Sequence, residues 1–450
     1  MKRLVLLCDG TWNEDDSSRP VTNIVRLRDL LAHSLDPRSS VVGPGPTDKR
    51  VAGLTRGQVE YIVYYDQGVG TGPWLDSLKG GVFGLGLGHN VRQAYRFLAA
   101  RHQPDDEIYV FGFSRGAFTA RSLVGYMGAV GLLTPENCTS AREQQAWEYY
   151  RTPPNDRLSG VWNELTPLVH DRDRLRVKCL GVFDTVGALG IPVQGFRRLN
   201  RSKYEFHDVT LNAITDVNLH AIAVDERRFA FQAAVWRKPQ FKYYDTITEQ
   251  VWFPGVHSDI GGGQVDHFES GREPTYSLDD IPLDWMMKRV NKHTRLGFDL
   301  TRWRPVDSGW STLPQHQSRT GIFRLPGTQG LRSIQNLRLP TKRGVKLVCH
   351  DRLLDSVGEL IHISVLERLG HRHVGPGTKK GYTPVNVLAV LDRIESSYRF
   401  GPRTHPDLLV VDWDGEPIPP SPGESRVQAL IAQARALLDL DAGRPAGTSA

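Results

Sequence analysis

The segment Glu107-Ile-Tyr-Val-Phe-Gly-Phe-Ser-Arg-Gly-Ala-Phe-Thr-Ala-Arg121 decides the fold. Its first half is a short apolar run, suited to a strand buried on both faces as a helix-covered parallel sheet requires. The run ends in Gly112-Phe-Ser-Arg-Gly116, and helix-like sequence begins at once. In a strand–turn–helix context, G-x-S-x-G forms a sharp elbow. Gly112 and Gly116 remove side chains where the two elements pass close together, and Ser114 is lifted out at the turn. Ser114 is therefore a candidate nucleophile. The plain alternative is an ordinary serine at the start of a helix, and the pentapeptide alone does not separate the two.

Three further apolar runs lie outward from this one, Leu4–Cys8, Val177–Phe183 and Val251–Val256, the last interrupted by Pro254 and Gly255. Helical spacing appears in Asn90–Arg101, with Val91, Ala94, Tyr95 and Leu98 on one face, and again in Ala117–Val130. Strands alternating with helices predict an α/β fold, a mostly parallel central sheet with helices on both faces. The Gly- and Pro-rich stretches near 41–57 and 68–88 read as insertions, as does 188–250. Within that last stretch, His220-Ala-Ile-Ala-Val-Asp-Glu-Arg-Arg228 reads as an amphipathic helix whose charged end forms salt bridges or meets a substrate phosphate through Arg227 or Arg228. Residues 1–400 are expected to form one catalytic domain. Residues 401–450 are expected to form a linker over Asp412–Glu424, an amphipathic helix over Val427–Leu440 and a frayed tail.

Bulk composition excludes several classes. The chain of 450 residues is mildly basic, with 56 Lys+Arg against 50 Asp+Glu. It has no dense basic run with interleaved aromatics, so nucleic-acid binding is not expected, while attraction to an anionic lipid surface is compatible with the charge. Cys8, Cys138, Cys179 and Cys349 form no C-x-x-C pair, which argues against a disulfide framework or a zinc ribbon. Met1–Cys8 is too short in its apolar part for a signal peptide, and no stretch approaches the roughly 20 apolar residues that span a bilayer. The expected location is the cytoplasm, or outside the cell by export without a cleavable signal.

Each of the four runs ends in residues suited to chemistry: Asp9-Gly10-Thr11 after the first, Ser114 after the second, Asp184-Thr185 after the third, and His257-Ser258-Asp259 after the fourth. Ligands of open parallel sheets bind beyond the carboxyl ends of the strands, where such tips converge. A serine hydroxyl needs a base within hydrogen-bond reach, and the base needs an orienting carboxylate. The chain order Ser114, Asp184, His257 is that of α/β-hydrolases. An oxyanion hole would use the Arg115 N–H and a second donor from Gly10 or Thr11. Asp9 reads as a brace for that turn. Asp259 is open between capping Gly261–Gly263 and orienting His257 in place of Asp184. His207, His220, His350 and His362 also lie downstream of Ser114, but none follows an apolar strand into a Gly-rich turn.

The segments LCDGTWN (Leu7–Asn13), YYDQGVGTG (Tyr64–Gly72), DEIYVFGFSRGAFTARSL (Asp106–Leu123) and GVFDTVGALG (Gly181–Gly190) together resemble a bacterial and fungal domain family. That family includes type VI secretion phospholipase effectors. HAIAVDERR (His220–Arg228), VWFPGVHSDIGGG (Val251–Gly263) and IHISVLERL (Ile361–Leu369) extend the likeness over about residues 1–390. The resemblance implies an α/β-hydrolase core that cleaves carboxylic esters, acyl esters of phospholipids among them, with Ser114 as nucleophile, Asp184 as orienting acid and His257 as general base. It implies no cofactor and no metal, a lipid or acyl-ester substrate met by peripheral membrane contact, and a secretion-system or immunity partner. The Gly68–Gly88 segment, with Trp74, Leu75, Val82, Phe83, Leu85 and Leu87, reads either as an apolar rim for an acyl chain or as a loop packed on the core.

Two other classes stay open on the sequence. Asp9, Asp184, His257 and Asp259 carry oxygen and nitrogen donors suited to the divalent ions of a metal-dependent phosphohydrolase. A catalytically inactive member of the same fold would instead serve as an interaction module, docking a partner through the C-terminal helix.

Overall fold

The computed structural model describes residues 1–10, 21–35, 50–56, 59–68, 82–186, 213–236, 246–264, 276–303, 306–319, 324, 328–337, 346–348, 357–400, 408–420 and 426–442. In chain order the first half runs β1 (Lys2–Cys8), α1 (Asn23–Leu35), β2 (Arg50–Arg56), β3 (Val59–Asp66), α2 (Val82–Arg101), β4 (Glu107–Phe113), α3 (Arg115–Val130), α4 (Ser140–Arg151), α5 (Ser159–Leu165) and β5 (Val177–Phe183). The second half runs β6 (Val217–Ala223), β7 (Ile247–Phe253), α6 (Ser258–Gly261), α7 (Asp280–His293), β8 (Gly330–Arg332), β9 (Lys346–Val348), β10 (Glu359–His362), α8 (Ile363–Arg368), α9 (Val385–Phe400), β11 (Leu409–Val411) and α10 (Arg426–Ala442).

Nine strands form one sheet in the order β11-β10-β7-β6-β5-β4-β1-β3-β2, while β8 and β9 pair separately. Every neighbouring pair in the large sheet is parallel except β2 with β3, which closes one edge antiparallel. Helices connect β3 to β4, β4 to β5 and β10 to β11, as a parallel connection that crosses over a face requires. Side chains alternate across each strand, and both faces are apolar. Along β1, Leu4, Leu6 and Cys8 enter the cluster shared with Tyr95, Leu98, Leu123 and Met127 of α2 and α3. Val5 and Leu7 enter the opposite cluster, with Ile24 and Leu31 of α1 and Ile281 and Met286 of α7. β4 repeats the pattern, Ile108 and Val110 to one side, Tyr109, Phe111 and Phe113 to the other. Each fully buried large apolar side chain contributes roughly 1.5–3 kcal/mol, so a one-residue slip of either strand would turn its apolar set onto the wrong layer. A third cluster, with Ile361, Val387, Ile394, Val427 and Ile431, packs α8, α9 and α10 around the β10 end of the sheet.

Several expectations are corrected. The stretch 41–57 contains β2, whose Arg50–Arg56 pairs along the whole of Val59–Tyr65. The stretch 188–250, read as an insertion, contains β6 and the start of β7, both interior strands, while 187–212 and 237–245 lie outside the described residues. His220–Ala223 lies in β6 and is strand, not helix, and all of Val217–Ala223 is buried. The helix read from Asn90 begins at Val82, within the proposed rim; Leu87 is 7 % exposed and packs inward, and 69–81, with Trp74 and Leu75, lie outside the described residues. The segment read as a linker begins beside β11, paired with β10, and continues into a turn where the Glu416 N–H donates to Asp412 Oδ1 at 2.8 Å. β7 stops at Phe253, ahead of Pro254 and Gly255. Among the described residues no helix is long and apolar enough to cross a membrane.

Candidate active site

Ser114 sits between β4 and α3 with φ 58° and ψ −118°, a left-handed backbone uncommon outside glycine. Tight packing at the elbow holds it there. A Cβ on Gly116 would lie 2.1 Å from the Cys8 carbonyl oxygen and 2.5 Å from that of Asp9, so only glycine lets α3 cross the end of β1. A Cβ on Gly112 would lie 2.5 Å from the Gly116 carbonyl oxygen. The Ser114 N–H donates to the Phe183 carbonyl at 3.0 Å, fastening the turn to the neighbouring strand tip.

The candidate base and acid meet at this elbow. His257 Nε2 lies 2.8 Å from Ser114 Oγ, and His257 Nδ1 lies 2.5 Å from Asp184 Oδ2. All three side chains are buried, at 7 %, 7 % and 0 % exposure for Ser114, His257 and Asp184. Asp184 ends β5 with φ 39°, and its Oδ1 accepts the Ala223 N–H at 2.9 Å from the end of β6. The imidazole is wedged between the Phe113 ring, 4.7 Å away, and the Phe231 ring, 5.0 Å away and edge-on. Its backbone N–H donates to Glu226 Oε2 at 3.3 Å.

Protonation follows from these contacts. Burial opposes charge on Asp184, but the Arg332 guanidinium and the bond to His257 outweigh it and hold the carboxyl well below the usual range. Burial pushes the His257 imidazole below its ordinary value, with Asp184 acting against the shift. An ionised carboxylate only accepts, so Nδ1 carries the proton, and Nε2 is left to accept from the serine hydroxyl.

The other sequence candidates fall into place separately. Asp9 is fully buried and braces the turn after β1: its Oδ1 accepts the Gly10 N–H at 2.6 Å, and its Oδ2 accepts from Thr22 Oγ1 at 2.7 Å and the Tyr65 hydroxyl at 2.8 Å. This corrects the reading of Gly10 as an oxyanion donor, because its N–H is turned to the Asp9 carboxylate; Thr11 lies outside the described residues. Arg115 opens α3 immediately after Ser114, where first-turn N–H groups have no partner within the helix. Asp259 does not orient His257, nor does its carboxylate cap Gly261–Gly263. It accepts the Val256 N–H at 2.8 Å and binds His316 Nδ1 at 2.5 Å. Asp9, Asp184, His257 and Asp259 thus do not converge as a ligand set, and no three-residue metal-binding group occurs among the described residues. His220 supports the site from below, its Nε2 accepting the Thr185 N–H at 3.2 Å, and burial pushes its imidazole down to about 3. Arg228 pairs with Glu226 at 2.8 Å, which fulfils the salt-bridge reading of that segment.

Sequence reasoning missed Arg332. It is 2 % exposed, and its Nη1 and Nη2 donate to Asp184 Oδ1 at 2.5 Å and Oδ2 at 2.9 Å. The surrounding Gly330-Leu-Arg-Ser-Ile334 carries no motif, and nothing in its spacing points to a strand tip far upstream.

Fold and site define a class: an α/β protein of the hydrolase-like kind in which a serine, a histidine and an aspartate form a hydrogen-bonded chain at the carboxyl edge of a parallel sheet. Residues 2–289 match the family described as the catalytic domain of type VI secretion, Tle1-like phospholipase effectors, and the chain belongs to that family. It is 30 % identical over 251 residues to an uncharacterized protein of Saccharomyces cerevisiae, covering 51 % of this chain and 32 % of that one. A crystal structure of an uncharacterized Pseudomonas aeruginosa protein aligns at 17 % identity and TM-score 0.34, over 64 % of this chain and 45 % of that one. A Tle1 effector bound to the VgrG spike of the type 6 secretion system aligns at 20 % identity and TM-score 0.28, over 60 % and 52 %. The chain therefore spans about a third of the yeast relative's length and about half of each solved protein.

Proposed function

We propose that the protein is a serine hydrolase that cleaves carboxylic esters, acyl esters of phospholipids in particular, through Ser114, His257 and Asp184. The observation that carries this reading is the unbroken chain Ser114 Oγ to His257 Nε2 at 2.8 Å and His257 Nδ1 to Asp184 Oδ2 at 2.5 Å. Family membership supports the lipid class of substrate.

In this reading the Ser114 oxygen attacks the ester carbonyl as His257 Nε2 takes its proton. The imidazolium is stabilised by Asp184 through the Nδ1 proton it already shares. Negative charge on the carbonyl oxygen meets the Arg115 N–H at the positive end of α3. His257 returns the proton to the departing alcohol and leaves Ser114 acylated. Water, deprotonated by the same nitrogen, releases the acid and restores the serine. Lipid contact at the membrane surface, a secretion-spike or immunity partner, and a location in the cytoplasm or outside the cell belong to the same proposal.

The test is labelling by a fluorophosphonate together with hydrolysis of a soluble short-chain ester and a phospholipid vesicle. Wild type is labelled and active, and Ser114→Ala is neither. Near-normal hydrolysis by Ser114→Ala removes the proposal.

A further inference from the structure

The guanidinium of Arg332 is fully committed. It carries five N–H groups, and five bonds leave it: Nη1 to Asp184 Oδ1 at 2.5 Å and to the Ala223 carbonyl at 2.9 Å, Nη2 to Asp184 Oδ2 at 2.9 Å and to the Phe231 carbonyl at 2.7 Å, and Nε to the Phe231 carbonyl at 3.2 Å. Two nitrogens on two oxygens make the fork-on-fork geometry that only arginine offers. The same side chain therefore clamps the orienting acid, the tip of β6 and the segment whose Phe231 ring stands edge-on to the imidazole. β8, which carries Arg332, belongs to the small separate sheet.

A free aspartate facing a histidine gives its whole charge to the imidazolium and raises the pH at which the ring releases its proton. Here a buried, permanent cation shares that carboxylate. Among the described residues the other groups facing the pair are these. Ser114 is neutral, and His220 contributes only an acceptor to the Thr185 N–H. Glu226 and Arg228 pair with one another beside the His257 backbone. Phe113 and Phe231 present rings.

We propose that Arg332 is a positioning residue of this site: by clamping Asp184 and taking part of its charge, it keeps His257 neutral, and so able to accept the serine proton, at a lower pH than an unshared aspartate–histidine pair would allow. The proposal rests on the triad reading of the function. Its cost is a less stabilised imidazolium in the transition state, offset by an imidazole that starts in the correct state and orientation.

Three measurements test it. In the Arg332→Gln enzyme, the acidic limb of the kcat/KM profile for a soluble short-chain ester moves up by about one pH unit as Asp184 turns its full charge on His257. In Arg332→Lys the limb returns toward wild type, while the plateau stays low because one ammonium cannot hold both oxygens. A limb that does not move in Arg332→Gln, with only the plateau lowered, makes Arg332 a structural anchor and overturns the proposal. NMR titration of the His257 imidazole reads the same shift without turnover. The shift therefore stands or falls independently of Ser114→Ala, whose retained activity would remove the functional reading alone. If Arg332→Gln fails to fold, Arg332→Met, which keeps a packed stem without the charge, is titrated in its place: a His257 midpoint above that of wild type supports the proposal, and one unchanged from wild type overturns it.

Discussion

Replacing Asp184 by asparagine tests the site most severely, because the change is isosteric and its consequences can be worked out atom by atom. Four donors converge on the carboxylate: the Ala223 N–H and Arg332 Nη1 on Oδ1, and His257 Nδ1 and Arg332 Nη2 on Oδ2. An amide offers one accepting oxygen and one donating nitrogen, so whichever way it is turned, its NH2 faces at least one donor. If the nitrogen faces the ring, His257 must move its proton to Nε2, and it can then no longer receive the one from Ser114. Loss of the correct tautomer costs about 10⁴-fold in kcat in triads of this type, roughly 5.4 kcal/mol of barrier. Stability falls as well. The 2 % exposed Arg332 keeps its charge and loses its counter-ion, and breaking a buried pair on one side costs about 3–5 kcal/mol. Removing both partners is milder, so Asp184→Asn combined with Arg332→Gln should recover about 2 kcal/mol of the single variant's loss. Ester hydrolysis gives the first quantity and urea denaturation the second. An Asp184→Asn enzyme within tenfold of wild type, or as stable as wild type, would refute the reasoning.

Four shorter predictions follow from the same geometry. Gly116→Ala should lose more than about 3 kcal/mol by thermal denaturation, since its Cβ would lie 2.1 Å from the Cys8 carbonyl oxygen, whereas Gly160→Ala, with nothing within 4 Å, should be neutral or slightly stabilising. Asp9→Ala removes the acceptor from three buried donors, those of Gly10, Thr22 and Tyr65, and should cost about 3 kcal/mol and at least about 10² in kcat; unchanged turnover would detach that turn from the reaction. Because burial lowers the His257 pKa, wild-type kcat/KM should reach half its plateau below about pH 6.5 and fall further as acid protonates Nε2; a midpoint above pH 7 would contradict this. The Asp184 carboxyl titrates lower folded than unfolded, so its stabilisation is complete above about pH 4 and is lost as pH falls through the lower folded value; the denaturation gap between wild type and Asp184→Asn should narrow only in that acid window.

The sequence made some of this legible and hid the rest for identifiable reasons. Val177–Phe183 was readable to the residue because, Lys178 near its start apart, it is apolar on both faces and bounded by charge. The elbow was readable because sterics confine Gly112 and Gly116 to glycine, and that constraint is local. His220 misled, because a strand buried on both faces has no period of two to display, and Asp225-Glu-Arg-Arg228 beyond it imitates a charged helix end. β11 was obscured by the prolines and acids that follow it, although three residues sufficed to extend the sheet. Asp259 was ambiguous because its partner, His316, lies 57 positions away. Arg332 is 148 positions from Asp184, and the clamp is purely tertiary, so no spacing rule reaches it.

The small strand that carries Arg332 also bears on how much of this chain the site needs as a working unit. The family match closes at residue 289, but the cation that counterbalances the acid is at 332, and β10 and β11, which cover the side of β7, are at 359–362 and 409–411. A fragment trimmed to the matched span would keep Ser114, Asp184 and His257 while uncovering β7, an interior strand of the full sheet, to edge pairing and abandoning the aspartate's counter-charge. In this chain the end of the family match runs through the middle of the sheet and its supports, and any minimal version has to be drawn by hydrogen bonds instead of by the matched span.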